Sequence, residues 1–226
     1  MNKRQLIIGN KNYSSWSLRP WLFMKYYKLP FEEVRIPLYC VGSTEKIARY
    51  SPSGLVPALV DGDITVWDTL AICEYLSETY LDGKAWPQDR QARAHARAVS
   101  AEMHSGFANV RKHLSMNVRA RFQWQYINSD VEREIARILT LWETCRTQFA
   151  SAGPWLFGEF SIADAMYVPV CLRFDRYNVP LNALAQAYVE HVLALDAMRE
   201  WCEAALLEKE VIGWAENAQL LRVDKI

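Results

Sequence analysis

The sequence predicts two units, a small α/β unit built on a four-stranded sheet and then a larger all-α bundle. Two observations predict this. Over the first eighty of the 226 residues the apolar period changes repeatedly between strand and helix, whereas beyond Arg90 the helical period dominates and no convincing strand is legible. A polar stretch, DGKAWPQDRQ, carries Gly83 and Pro87 between them and has the composition of a linker. The expected division is therefore 1–82, a linker at 83–91, and 92–226.

Within the first unit QLIIG reads as a buried strand, SLRPWLFMKYYK as an amphipathic helix, EEVRIPL as a second strand and STEKIARYS as a short helix. PALVDGDITVWD follows as two short strands about Asp61-Gly62-Asp63, a hairpin signal because Gly and Asp tolerate positive φ. TLAICEYLSETYL closes the unit as a helix. The order βαβ then ββα implies a parallel first pair joined by a right-handed crossover and an antiparallel last pair, the thioredoxin-like βαβαββα arrangement.

In the second unit RQARAHARAVSAEMHSGFANVRKHL and DVEREIARILTLWETCRTQFA carry helical spacing and are expected as two long helices. Ser161 and Asp164 form a capping pair ahead of the helix in SIADAMYVPVCLRFDRY. Further helices are expected over about 183–194 and 197–209.

Composition narrows the function classes. Lys plus Arg and Asp plus Glu number 26 each, so no overall field favours nucleic acid or an anionic membrane, and neither is expected as a partner. The five cysteines, at 40, 73, 145, 171 and 202, are scattered without a metal-binding or redox spacing, so reduced thiols and no metal are expected. The N-terminus lacks a secretory apolar run and no stretch approaches membrane-spanning length, which points to the cytoplasm.

Four local patterns resemble the glutathione transferase superfamily. Tyr13-Ser14-Ser15-Trp16-Ser17-Leu18-Arg19 is similar to the S-S-C-x-x-R loop of the zeta class, which includes maleylacetoacetate isomerases; Trp16 stands where that class has cysteine. Ser53-Gly54-Leu55-Val56-Pro57-Ala58-Leu59 resembles the V-P-x-L segment with its cis proline. Trp67-Asp68-Thr69-Leu70-Ala71-Ile72 resembles the E-S-x-A-I element, and Ser161-Ile162-Ala163-Asp164 the capping box of the sixth helix. The resemblance implies glutathione as co-substrate, a homodimer, and a second, small electrophilic substrate held by the helical unit.

It also implies roles. A thiol with a reference pKa near 8.5 is only a few per cent thiolate at neutral pH, so a hydroxyl and a helix N-terminus aimed at sulfur would favour the anion. Ser14 is the first candidate and Ser15 the second, with Ser17 expected as the helix cap and Pro20 in the first turn. Leu55, Val56 and Pro57 would pair with the glutathione backbone. Asp68 and Thr69 would take its α-ammonium and α-carboxylate, and Lys46 its glycine carboxylate.

Trp16, Met103, Phe107, Arg111, Arg173 and Arg176 are placed at the second-substrate pocket, with Arg176 at the position that receives a substrate carboxylate in the zeta class. Plainer readings stand beside these: the serines, Asp68 and Thr69 as helix caps, Met103 and Phe107 as core, His104 as a hydrogen-bonded structural histidine, and Arg176 paired with Asp175. The implied activities are conjugation of glutathione to an electrophile, glutathione-dependent cis-trans isomerisation, or a binding module that keeps the fold without catalysis.

Overall fold

The protein, a computed structural model, is described over residues 4–149, 153–216, 220 and 222–225. The first unit runs β1 (Gln5–Ile8), α1 (Ser15–Tyr26), β2 (Glu32–Arg35), α2 (Ser43–Ala48), β3 (Ala58–Asp61), β4 (Ile64–Trp67) and α3 (Thr69–Tyr80). The sheet order is β2-β1-β3-β4; β1 runs parallel to β2 and β3 antiparallel to β4, the two pairings that the element order predicts, and β1 joins the pairs antiparallel to β3. Alternate residues of β1 point to opposite faces. Leu6 and Ile8 pack with Leu18, Leu22, Ile72 and Leu76, while Ile7 joins Ile36, Ile47 and Ala58 on the other face. Both faces are covered, which is why QLII lacks polar alternation.

The helical unit comprises α4 (Arg90–Ser105), α5 (Ala108–His113), α6 (Ser129–Gln148), α7 (Ile162–Arg176), α8 (Ala183–Leu193) and α9 (Asp196–Leu206). A short β5 (Ala120–Phe122) precedes α6, and a 3-10 turn (Gly213–Glu216) and β6 (Arg222–Lys225) follow α9. No helix of the described residues is long and apolar enough to cross a membrane. Helix α7 is the hub: Ile162 to Phe174 are all buried, and it packs on α1, α4 and α8. One apolar core runs from the α1 face of the sheet to Trp142 and Trp201. Each large side chain buried there contributes about 1.5–3 kcal/mol.

The start of α7 follows the expected capping box. Asp164 accepts hydrogen bonds from the Ser161 N–H (2.9 Å) and hydroxyl (3.0 Å). It also accepts from Leu156 N–H and the Tyr188 hydroxyl, both at 3.0 Å, tying the preceding loop and α8 to α7. Burial raises its carboxyl to about 6 despite these four donors.

Three expectations are corrected. Residues 90–114 do not form one long helix: Gly106 and Phe107 divide it, Phe107 at φ +53°, and a Cβ on Gly106 would lie 2.7 Å from the Glu102 carbonyl oxygen. Strands do occur beyond Arg90, because β5 pairs with β6 across about a hundred residues; so short and distant a pair leaves no local period. The cap of α1 is Ser14, not Ser17, and Pro20 is the sixth residue of α1 rather than a first-turn residue.

Candidate active site

The site begins at the turn from β1 into α1. Ser14 caps α1, its oxygen accepting from Ser17 N–H at 3.4 Å. Ser17 is fully buried and its oxygen accepts from Gly9 N–H at 3.1 Å, with Ser14 Oγ 2.7 Å away. When Ser17 donates to Ser14, the Ser14 proton is left for the cavity. Ser15, the first helical residue, accepts from the Arg173 guanidinium at 3.1 Å, which leaves its own proton free as well. Pro20 removes the N–H that the Trp16 carbonyl would receive in a regular helix. The Thr69 hydroxyl supplies the missing donor at 2.9 Å, joining α3 to the serine turn.

Trp16 divides two cavities. Its ring lies 4.2 Å from the Arg19 guanidinium carbon, 5.4 Å from that of Arg111 and 5.4 Å from the His104 ring. The larger cavity, about 550 Å³, takes Ser14, Ser15, Arg111 and Arg173 into its wall. Its lining includes those two guanidiniums and, among the described residues, no carboxylate. Arg173 is buried and donates to the Leu114 carbonyl at 2.9 Å and to Ser15; neither partner is charged. Burial, with repulsion from Arg111, lowers Arg173 to about 10; burial, with repulsion from Arg173 and Arg111, lowers Arg19 to about 9. An anion entering this cavity would relieve that cost.

The smaller cavity, about 260 Å³, is lined by Trp16, Leu55, the cis Val56–Pro57 pair, Asp68, Thr69, His104 and Arg111 among others. Asp68 has φ +75°, a backbone setting that costs about 1–3 kcal/mol. Its Oδ1 offsets part of this by accepting from Leu70 N–H (2.9 Å) and Ala71 N–H (3.3 Å) at the start of α3. Its Oδ2 meets His104 Nε2 at 2.6 Å. Asp68 is thus both a helix cap and a carboxylate facing the cavity.

Several expected site residues lie elsewhere. Arg176 is turned from both cavities: its Nε donates to the Val118 carbonyl at 3.0 Å and its guanidinium pairs with Asp175, because the neighbouring loop before β5 packs on that face of α7. Lys46 is exposed on α2, where Ser43, Thr44 and Ile47 face the cavity instead. Met103 and Phe107 are buried core residues outside both linings. Thr69 does line the smaller cavity, but it is only 1% exposed and its hydroxyl donates to the Trp16 carbonyl.

His104, expected as a hydrogen-bonded structural histidine, is bonded to Asp68 and closes the smaller cavity from α4. Ser115, Met116, Ile212 and Trp214, which had no sequence signal, wall the larger one from segments far apart in the chain. Tyr13 also lines it, but its hydroxyl is engaged, donating to Glu216 at 2.5 Å and accepting from Arg119 at 2.8 Å.

Two family models match the chain: "Glutathione S-transferase, N-terminal domain" over residues 13–79 and "Glutathione S-transferase, C-terminal domain" over residues 118–204. Maleylacetoacetate isomerase of Mus musculus is 31% identical over 176 residues, 74% of this chain and 76% of that protein. The holo structure of a maleyl pyruvate isomerase, a bacterial glutathione S-transferase of the zeta class, is similar with a TM-score of 0.67 at 23% identity, covering 91% of this chain and 100% of that one. A glutathione transferase homologue from Burkholderia GL BGR1 with bound glutathione also has a TM-score of 0.67, at 21% identity, covering 91% and 98%. At these identities the two structures bear on the fold: a thioredoxin-like unit followed by a helical one.

Proposed function

The chain belongs to the glutathione S-transferase family, and from that premise we propose that it binds glutathione across both cavities and activates its thiol at the serine turn for attack on a small, acidic electrophile. The observation that carries this reading is the pair of hydroxyls at the N-terminus of α1. Ser14 can receive from Ser17, and Ser15 receives from Arg173, so each can turn its proton toward a sulfur in the larger cavity. Donors to the charged form, together with the helix N-terminus, lower a thiol pKa. Ser14 is the first donor in this reading and Ser15 the second, poised by its guanidinium partner.

The zwitterionic end of glutathione suits the smaller cavity. Asp68 Oδ2 can exchange His104 for the ammonium, while Arg111 supplies positive charge for the carboxylate. Leu55 and the backbone of Val56 lie between the two cavities, where they can meet the cysteinyl part. Residues 1–82 would hold glutathione and 92–226 the electrophile.

A second reading, isomerisation, is favoured by Arg111 and Arg173 in the larger cavity and by the name of the mouse relative. The thiolate adds to one carbon of a cis double bond conjugated to a carbonyl, and the electron pair moves onto that carbonyl as an enolate. Rotation follows about what is now a single bond. Collapse of the enolate restores the trans double bond and expels the thiolate unchanged.

Calorimetric titration with glutathione, followed by assays on a maleyl-type dicarboxylate and an aryl halide, tests both readings. Conversion without net loss of glutathione identifies the isomerase, and stoichiometric loss the transferase. Absence of binding at millimolar glutathione overturns both and leaves a module that has kept the fold alone. We place the reaction in the cytoplasm, where glutathione remains a thiol. The expected homodimer is checked by sedimentation velocity, a monomeric species overturning it.

A further inference from the structure

The loop that presents the serines is held by the far end of the chain. Lys11 N–H and Asn12 N–H both donate to Glu208, at 2.7 and 3.0 Å, and the Lys11 carbonyl accepts from the Trp201 indole at 2.9 Å. Tyr13, the residue before Ser14, donates to Glu216 and accepts from Arg119 at 2.8 Å. Glu216 accepts in addition from Asn117 at 3.1 Å and pairs with Arg222. Glu208 is only 8% exposed; among the described residues its carboxylate pairs with Arg35 at 3.3 Å, and its backbone carbonyl accepts from Arg119. Two backbone N–H groups on one buried carboxylate fix position and direction together, as charge-assisted bonds do. Both glutamates lie beyond residue 204, where the second family match ends.

We propose that the segment after α9 is part of the thiol site, with Glu208 and Glu216 as positioning residues that set the height and direction of the Ser14–Ser15 turn. The inference deepens the glutathione reading and rests on it for its effect on chemistry. The segment itself also supplies Ile212, Trp214 and Ala215 to the wall of the larger cavity. One stretch of chain would therefore couple the shape of the electrophile pocket to the aim of the serines.

The experiment compares wild type, Glu208→Ala, Glu208→Gln and Tyr13→Phe, with Lys209→Ala as an exposed control in the same segment. Amide exchange over residues 10–17 is measured without ligand, and the pH midpoint of bound glutathione thiolate, the Kd for glutathione and kcat are measured with it. Glu208→Ala should speed exchange in the loop about tenfold. It should raise the thiolate midpoint and lower kcat by roughly tenfold, with Kd changed less than about threefold because the zwitterionic end is held elsewhere. Glu208→Gln keeps one acceptor and should recover part of each effect, and Lys209→Ala should match wild type.

Unchanged loop exchange, or an unchanged thiolate midpoint beside altered exchange, overturns the proposal. Should Glu208→Ala fail to fold, Tyr13→Phe carries the same readings, since it deletes one hydroxyl from a ring that stays packed. A wild type that does not bind glutathione overturns the functional reading instead, and the ligand-free exchange still decides whether the C-terminal segment positions the loop.

Discussion

The two cavities share Trp16, Leu55, Val56 and Arg111 in their walls and differ in the charge they offer. The larger presents Arg111 and Arg173 beside the Ser14 and Ser15 hydroxyls and, among the described residues, no carboxylate; the smaller adds Asp68 and His104 to Arg111. A surface of one sign suits an anion, whereas mixed signs suit a zwitterion. In the proposed reading the difference gives separate roles to two adjoining spaces with Trp16 in the wall of each.

The largest expected effect lies in the larger cavity. Replacing the hydroxyl proposed to face sulfur, Ser14→Ala or Ser15→Ala, should lower kcat by roughly 100-fold, the scale for losing one preorganised donor, and shift the bound-thiolate midpoint upward. Activity equal to wild type in both variants would remove the serines from the mechanism.

Arg173→Met should reduce kcat/KM for a maleyl-type acid by roughly 10- to 100-fold, the worth of a charge-assisted contact, and reduce it much less for a neutral aryl halide. Arg176→Met should leave both ratios near wild type, because that side chain answers to Asp175 and Val118. Equal sensitivity to the two substitutions would erase the charge contrast between the cavities.

Asp68→Asn isolates the smaller cavity. Asn caps a helix as well as Asp does, so α3 should keep its start while the Kd for glutathione weakens roughly tenfold. An unchanged Kd by calorimetry would place the ammonium elsewhere. Thr69→Val should have the smallest effect, about 1 kcal/mol of stability from the lost bond to Trp16, with Kd within about twofold of wild type. A tenfold loss of affinity would mean that the hydroxyl turns to the ligand.

Much of the first unit was legible because its signals are local. The residues that make up each strand or helix period, the Asp61-Gly62-Asp63 turn or the serine loop lie close together in the chain, and the sheet has the two predicted pairings. The serines, Val56, Pro57 and Asp68 could be named for the same reason. The helical unit was legible as helices but not as a site. Arg173 and Arg176 differ by roughly 60° around α7, and nothing in their spacing tells which of them faces Ser15. Packing decides it: Val118 and Asp175 engage Arg176, while Leu114 and Ser15 engage Arg173. The exposure of Lys46 was not legible for a similar reason, since one turn of a short helix decides between cavity and solvent.

By itself the sequence determined the two-unit architecture, the family, and a hydroxyl-bearing turn beside a Val-Pro segment and an acidic helix cap. The architecture depends on residues close in the chain, where backbone preference and apolar period act directly, and the family on the resemblance of four short motifs. Only the tertiary structure decided that Trp16 parts two cavities and that Arg173 rather than Arg176 reaches the serines. It also decided that Glu208 and Glu216 anchor the loop ahead of Ser14. Those contacts join segments about a hundred to two hundred residues apart, so they exist only once the shared core has brought the segments together and excluded water around their polar groups.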